Sequence, residues 1–305
     1  MPTLKKSGSG SGVGLAGGLR SVLWGEPITI KEESHSGPIK DYDIPLSLYE
    51  DDVFQYLICQ EQKSRVSPNY FIHQTDLTER MRKIMVDWLI KVHLTFNLMP
   101  ESLYLAVQLM DRYLTSKVIH RSSYQLVGMA CLLISAKMED VAPPQIEDFL
   151  VLTENGFSRD EIVKTEFDIL VTLEFECSVP TPYHFMRIYL GDLYNTDDSF
   201  EYLCNYLIES SLMEISLHNY APSLISAGAL YLARKMYLDE PAWNLKLEEI
   251  TTYNEEFSKE CAVNICIFLR KLIRSTTLKG LIKKYSLDEF KEVSLIPLPS
   301  DLYHH

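Results

Sequence analysis

The 305-residue sequence lacks the marks of a secreted or membrane-spanning protein. Its six cysteines show no Cys-x-x-Cys spacing, and several lie in apolar helical patterns, which indicates reduced core thiols of an intracellular protein. The N-terminal lysines are not followed by an apolar stretch, so no secretory signal is predicted. The apolar run Leu126–Ala136 has eleven residues, whereas about 20 are needed to cross a bilayer, and we expect no membrane contact.

Positive charge and catalytic signatures are scarce as well. The net charge of −13 argues against a general nucleic-acid binder, which needs a basic face. The sequence has no His-Glu-x-x-His motif, no P-loop and no nucleophile within a local signature, so we expect no catalytic residue, no metal and no cofactor. The series Gly12-x-Gly14-x-x-Gly17 has the spacing of a dinucleotide fingerprint, but no strand precedes it and we discard it.

Runs of β-branched residues with strict alternation are also absent, and the predicted fold class is therefore all-α. Residues 1–40 are predicted to form a flexible tail, since Ser7–Gly18 holds six of the thirteen glycines. Residues 41–77 are predicted to carry a short helix, with Leu48, Val53, Tyr56 and Leu57 on its apolar side, and then a linker. Helical patterns follow over 78–96, 100–114, 126–137, the stretch after Pro143-Pro144, 158–173, 183–190, 199–216, 222–237, 245–252 and 258–274.

Two stretches of similar sequence lie ninety-eight residues apart. Ala130–Lys137 reads ACLLISAK, and Gly228–Lys235 reads GALYLARK. Duplication of one helical domain explains this match, and chance similarity between two amphipathic helices is the alternative. Because Leu126–Ala136 is apolar on every side, it is predicted to be a buried central helix.

The helix over 78–96 has more apolar surface than one core contact requires. Met81, Ile84, Met85 and Trp88 fall on one stripe, and a second apolar face lies beside it over 86–92. A helix that is wholly buried is one interpretation. The other is an exposed apolar groove that docks a partner.

These residues resemble the cyclin family. The segment Met81–Leu89, MRKIMVDWL, is similar to the family's signature, and further family segments follow it in order. They are found at 101–107, 111–114, 125–128, 135–140, 143–144 and 170–175, while 182–187, 206–209 and 222–223 point to the B-type, mitotic branch. The resemblance covers about residues 41–298. It implies tandem five-helix cyclin boxes over 78–178 and 179–277, preceded by an N-terminal helix and followed by an extension over 278–305.

The resemblance implies a cyclin-dependent kinase as the partner in a heterodimer. Family members hold the αC helix of the kinase with a Lys and a Glu that correspond to Lys137 and Glu166. Phe175 corresponds to an aromatic residue that packs beside them, and Tyr56 lies on the N-terminal segment that adds kinase contacts. The alternative for Lys137 and Glu166 is an intramolecular ion pair, worth at most about 1 kcal/mol if exposed.

The resemblance also implies a docking patch for substrates or inhibitors that carry short basic-x-Leu motifs. Family members commonly have Glu or Gln three residues after the Trp, whereas this chain has Lys91, and we expect a weaker preference for a basic docking residue. Arg82 and Asp111 match a structural pair that joins the first two helices of the box. The patch residues are Met81, Ile84, Met85, Trp88, Lys91, Arg121, Tyr124 and Gln125.

The predicted function is that of a regulatory subunit, not an enzyme, which activates a cyclin-dependent kinase at the G2/M transition and in mitosis. A cyclin-fold scaffold that activates no kinase is the alternative. The core of a destruction box at Arg20-x-x-Leu23 suggests ubiquitin-ligase machinery as a further partner. Ser67-Pro68 and Thr181-Pro182 are either phosphorylation sites or turns. We expect the protein in nucleus and cytoplasm.

Overall fold

The computed structural model describes residues 49–153, 156–193, 196–238 and 241–303. These residues form twelve α-helices and several short 3₁₀ turns, with no β-strand among them, which confirms the all-α prediction. Within the same ranges, no helix has both the length and the apolar composition of a membrane span.

One helix precedes two sets of five. Helix α1 (Glu50–Lys63) leads through a linker to the first helical domain, and a C-terminal extension follows the second. The first helical domain consists of α2 (Glu79–Phe96), α3 (Pro100–Ser116), α4 (Arg121–Glu139), α5 (Ile146–Leu152) and α6 (Arg159–Thr172). The second consists of α7 (Pro182–Asp192), α8 (Asp198–Ser211), α9 (Pro222–Tyr237), α10 (Leu245–Thr251) and α11 (Glu255–Arg274), and the extension carries α12 (Gly280–Tyr285).

Several helices begin where the sequence predicts a start, because a local side chain satisfies the first backbone N–H groups. Thr78 Oγ1 accepts a hydrogen bond from the backbone N–H of Met81 at 3.3 Å. At α6, Ser158 and Glu161 form a capping box, in which Glu161 Oε2 accepts the Ser158 N–H at 2.8 Å. Pro222 occupies the first position of α9, where a missing N–H costs nothing.

The centre of each domain is the helix that carries the repeated sequence. Every residue of α4 from Leu126 to Ala136 is buried, as its apolar composition predicts. A Cβ at Gly128 would lie 2.8 Å from Met85 Sδ, so this glycine lets α2 pack closely against α4. Ser226, ninety-eight residues later in α9, contacts the first helix of its own domain by donating to the Pro182 carbonyl at 2.6 Å.

Helix α1 packs on the second domain with a face that includes only Leu57 of the predicted apolar residues, and Leu48 lies outside the described residues. Val53 and Tyr56 are exposed, and the buried side is formed by residues at positions 54, 57, 58 and 61. Phe54, Leu57 and Ile58 form an apolar stripe that packs against the core. At the end of this stripe, the buried carboxylate of Glu61 accepts hydrogen bonds from the Ser223 N–H at 3.0 Å and the Ser223 hydroxyl at 2.8 Å. Glu61 thereby satisfies the first turn of α9, and its burial raises the carboxyl pKa above the ordinary value despite these donors.

The C-terminal extension packs back onto both domains. The backbone N–H of Gly280 donates to Asp87 Oδ1 in α2 at 2.6 Å. One turn later, Lys284 Nζ contacts Glu209 Oε2 of α8 at 2.6 Å, and both side chains are almost fully buried. Helix α12 therefore joins α2 of the first domain to α8 of the second. The six cysteines all lie in the described ranges and form no disulfide. Cys59 is exposed, and the other five are buried, as expected of core thiols.

Candidate functional site

The two charged residues that the resemblance assigns to kinase binding lie together. Lys137 is in the last turn of α4, and its Nζ is 2.5 Å from Glu166 Oε1 on α6. The Lys137 side chain is 44% exposed and the Glu166 side chain 14% exposed. The pair is therefore at the surface, where it adds at most about 1 kcal/mol to the stability of the fold.

Phe175 projects from a strained turn at the end of α6. Glu174 and Phe175 have φ values of 54° and 59°, a left-handed conformation that L side chains adopt only at a cost of about 1–3 kcal/mol each. The turn is closed by a hydrogen bond from the Phe175 N–H to the Leu170 carbonyl at 2.8 Å. Although Phe175 is apolar, its side chain is 64% exposed. A strained backbone that presents an aromatic ring to solvent indicates a binding function.

Three further apolar residues on α6 were not predicted from the sequence. Val163, Phe167 and Val171 are four residues apart, so they form one stripe, and they are 41%, 62% and 47% exposed. The buried side of α6 consists of Ile162 and Ile169. The helix over 78–96 was recognised by its second apolar face. The same criterion identifies this stripe on α6. We name the stripe together with Phe175 the α6 face.

Tyr56, the fourth predicted kinase contact, is 62% exposed on α1. The linker that follows α1 lies near the turn that carries Phe175. A polar cavity of about 270 Å³ separates them, and it is lined by residues 63–67 of the linker, Thr172–Glu174 and Glu176 of the turn, and Arg112, Thr115 and Ser116 of α3.

The predicted docking patch is partly open and partly buried. Ile84 is 50% exposed, and Met81 and Trp88 are half-buried beside it on α2. Met85 and Tyr124 are almost fully buried, so their side chains support the patch from below and do not form its surface. The helix is therefore neither wholly buried nor wholly an exposed groove, since its apolar stripe contains both exposed and buried side chains.

Two polar members of the patch, Lys91 and Arg121, have partners within the chain. Lys91 Nζ lies 2.5 Å from Asp87 Oδ2, one turn earlier on α2, while the Lys91 side chain remains 51% exposed. The backbone N–H of Arg121 donates to Asp76 Oδ2 at 2.9 Å, and its guanidinium is exposed. Gln125 is half-buried at the same end of α4.

Arg82 and Asp111 form a buried, bidentate ion pair. Arg82 Nε and Nη2 donate to the two Asp111 oxygens at 2.8 and 2.6 Å, and Arg82 Nη1 donates to the Leu212 carbonyl of the second domain at 2.8 Å. The Tyr70 hydroxyl donates to the same carboxylate at 2.7 Å. Burial tends to raise the pKa of Asp111, but the charge and hydrogen bonds of Arg82 outweigh it and hold this pKa below its ordinary value. The pair joins α2 to α3, as predicted, and also joins the two domains.

His218 lies against this pair at the contact between the domains. Its Nε2 is 3.4 Å from Arg82 Nη2 and 3.8 Å from Asp111 Oδ2. Burial and the Arg82 charge lower the pKa of His218 to about 4, against the opposing effect of Asp111. The imidazole is therefore neutral at physiological pH. Nowhere in the described ranges do three or more His, Cys, Asp or Glu residues form a group that could hold a metal ion.

Comparison with known domains gives the same two-part division. The profile of the cyclin N-terminal domain matches residues 52–178, and that of the cyclin C-terminal domain matches residues 180–299. A viral cyclin from herpesvirus saimiri superimposes with a TM-score of 0.64 at 22% sequence identity, over 73% of this chain and 97% of that one. At this level of identity the superposition shows a shared fold.

Curated relatives are similar over most of this chain. The G2/mitotic-specific cyclin-B of Dictyostelium discoideum is 36% identical over 82% of this chain and 57% of its own length. Cyclin-B1-4 of Arabidopsis thaliana is 35% identical, and this chain spans 65% of its length. The G2/mitotic-specific cyclin C13-1 of Daucus carota is 37% identical over 83% of this chain and 76% of its own length. The chain belongs to the cyclin family.

Proposed function

We propose that this chain is the activating and substrate-docking subunit of a cyclin-dependent kinase that acts at the G2/M transition and in mitosis. The observation that carries this proposal is the α6 face, an exposed apolar surface bordered by the Lys137–Glu166 pair. Monomeric proteins rarely leave such a surface open unless it binds a partner. The names of the G2/mitotic-specific relatives support the mitotic assignment.

In this proposal the chain acts on the kinase by binding one position of the αC helix. Kinase activity requires that the αC Glu pairs with the β3 Lys. A partner that binds only the inward position of αC shifts that equilibrium, and a shift from 1:99 to 99:1 requires about 5.5 kcal/mol. Phe167 and Phe175 are 62% and 64% exposed, so burial of what remains of the two rings contributes about 2–4 kcal/mol. The two rings therefore supply part of the free energy, and the rest must come from the other contacts of the interface.

The charged pair gives the surface its specificity in this proposal. Lys137 and Glu166 present a cationic and an anionic group side by side, and both can bond backbone groups or charges of an incoming helix. Because the pair contributes little to the fold, it can exchange partners at small cost.

The docking patch is proposed to bind substrates or inhibitors with short basic-x-Leu motifs. Met81, Ile84 and Trp88 offer the open apolar surface for the Leu of such a motif. Because Lys91 is cationic, we expect the patch to have a weaker preference for the basic residue of the docking motif, although Asp87 partly offsets the charge of Lys91. A Lys91→Gln variant removes the charge without setting a second carboxylate against Asp87. Unchanged affinity for a basic docking peptide in this variant would contradict the expectation.

Two parts of the proposal concern regions or properties beyond the described helices. Ubiquitin-ligase machinery is proposed to recognise Arg20-x-x-Leu23, which lies outside the described residues. Residence in both nucleus and cytoplasm is proposed from the mitotic role.

Reconstitution tests the central proposal. The purified chain is mixed with a monomeric mitotic cyclin-dependent kinase phosphorylated on its activation loop, and histone phosphorylation is measured. We expect strong activation by the unmodified chain and its loss in the Lys137→Ala/Glu166→Ala double variant. Lys235→Ala is the matched control, because Lys235 ends the repeated motif of the second domain and pairs there with Asp301.

The same assay separates the two predicted functions. If the double variant still activates the kinase, the proposed function holds but the kinase binds elsewhere on the chain. Failure to bind or activate any of several cyclin-dependent kinases would favour the cyclin-fold scaffold.

A further inference from the structure

The C-terminal part of this acidic protein contains a long stretch without acidic residues. Between Cys261 and Leu287 there is no Asp or Glu, although the whole chain has a net charge of −13. The cations in this stretch are Arg270, Lys271, Arg274, Lys279, Lys283 and Lys284.

Some of these cations bond within the chain and others face solvent. Lys284 is buried against Glu209, and Lys279 Nζ donates to the Ile273 carbonyl at 3.2 Å. Lys271, Arg274 and Lys283 are exposed, and none of the ion pairs between described residues includes them. Because Lys279 contacts the end of α11, it connects the exposed cations of α11 with that of α12.

The exposed cations continue onto α2 beside the docking patch. Helix α12 meets α2 at Asp87, whose Oδ1 accepts the Gly280 N–H and whose Oδ2 contacts Lys91 Nζ at 2.5 Å. The contact is close, since a Cβ at Gly280 would lie 2.7 Å from the Asp87 carbonyl oxygen. Lys91 is therefore next to the start of α12. We name the surface formed by Lys91, Lys271, Arg274, Lys279 and Lys283 the basic strip.

The basic strip adjoins the open part of the docking patch. On α2, Lys91 follows Trp88 by one turn and Ile84 by two turns, so the three side chains lie along one side of the helix. Asp87 is the carboxylate in contact with Lys91, and it is almost fully buried. The strip therefore presents net positive charge at one end of an apolar surface.

We propose that the basic strip selects docking peptides in which acidic residues flank the apolar motif on the side that faces Lys91. This inference rests on the proposed docking function of the patch and names the class of peptide that the patch prefers. An acidic peptide fits better than a nucleic acid, because the strip is continuous with an apolar surface and the protein as a whole is anionic.

The expected effect is moderate and depends on salt. An exposed ion pair is worth at most about a fivefold change in affinity, so two such pairs give at most about 25-fold at low ionic strength. At high salt the Debye length shrinks and most of the gain is lost.

Fluorescence polarisation with the full chain tests the inference. The probes are three labelled peptides with the same Arg-x-Leu motif, one flanked by Gln on both sides, one with Glu before the motif and one with Glu after it. We expect one Glu peptide to bind about tenfold more tightly than the Gln peptide, and Lys283→Glu/Arg274→Glu to abolish that difference. The matched control is Lys259→Glu, an exposed charge reversal in the first turns of the same α11.

The outcomes separate this inference from the docking function on which it rests. If Ile84→Ala/Trp88→Ala weakens all three peptides but both Glu peptides bind like the Gln peptide, the patch docks peptides and the inference is wrong. If the Ile84→Ala/Trp88→Ala variant binds every peptide as the unmodified chain does, the docking function itself fails. An equal loss in Lys259→Glu, or competition by a single-stranded oligonucleotide, would show a general charge effect and overturn the inference.

Discussion

The two helical domains have a similar eight-residue motif in their central helices but leave different surfaces open. In the first domain, the Lys that ends the motif pairs with Glu166 of α6 within the same domain. In the second, the corresponding Lys235 pairs at 2.7 Å with Asp301 of the C-terminal extension, and neighbouring Leu302 is buried. The extension thus covers the end of the second central helix, whereas the end of the first faces solvent.

The fifth helices differ in the same way. Helix α6 buries two of its fourteen residues, Ile162 and Ile169, and exposes an apolar stripe. Helix α11 buries eight of its twenty residues, so most of its apolar side chains are used in the core. A duplicated fold can therefore assign partner binding to one copy by leaving its fifth helix partly uncovered. Variants in the two domains should separate an open first domain from a closed second domain.

The largest effect is expected from the buried ion pair of the first domain. Asp111→Ala leaves Arg82 charged and unpaired in the interior, which should lower the free energy of unfolding by about 3–5 kcal/mol. Urea unfolding measures the change. Asp301→Ala in the second domain, where the aspartate is 63% exposed, should have a much smaller effect. The double variant Arg82→Met/Asp111→Leu should recover part of the loss, and equal instability in the single and double variants would contradict this account.

Two glycines, Gly128 in the first central helix and Gly228 in the second, should respond differently to substitution by Ala. A Cβ at Gly228 would lie 2.7 Å from Cys261 Cβ and 3.0 Å from the Ala262 backbone nitrogen, which cannot move away. Gly228→Ala should therefore destabilise the protein by about 1–3 kcal/mol. At Gly128 the obstacle is the flexible end of Met85, and the higher helix propensity of Ala, worth about 1 kcal/mol, offsets much of the cost. Thermal unfolding of both variants measures the two changes in stability. A larger loss of stability in Gly128→Ala than in Gly228→Ala would contradict the packing described.

A pH titration of stability should report on the contact between the domains. The pKa of His218 is about 4 in the folded chain, below that of an unfolded His near 6.5, so the fold disfavours the charged imidazole. Its contribution is complete above about pH 6.5 and is lost as the pH falls toward 4, with a slope of up to about 1.4 kcal/mol per unit. His218→Gln should reduce the slope of unfolding free energy in that window. The exposed His73→Gln should not, and equal slopes in all three proteins would contradict the prediction.

Most of the fold followed from local sequence, whereas part of the site did not. Caps, prolines and helical periodicity located α2, α6 and α9, because these signals act within a few residues. The exposed stripe of α6 was missed, since apolar residues four apart read equally as core and as binding surface. Helix α1 presented the same difficulty, because its apolar stripe at positions 54, 57 and 58 is continued by Glu61, a charged residue that an apolar pattern does not include.

Contacts between segments that are distant in sequence could not be predicted from local sequence patterns. The bond from Gly280 to Asp87 joins residues 193 positions apart, and it brings a basic segment next to the docking patch. No local pattern contains this information, because it arises from how the extension packs on α2. The partner assignments of Lys137 and Glu166 came from family resemblance, and the fold adds that their side chains meet at the surface.

Kinase binding by two matched variants tests the central claim most directly. Phe167 on α6 and Phe257 on α11 are both phenylalanines on fifth helices, 62% and 53% exposed, so substitution by Asp should leave the fold intact in each case. The account predicts that Phe167→Asp weakens binding of a cyclin-dependent kinase by about 30-fold or more, as for an aromatic hot spot, and that Phe257→Asp leaves the Kd unchanged. Unchanged binding in Phe167→Asp, or an equal loss in Phe257→Asp, would contradict the claim that the open α6 face holds the kinase.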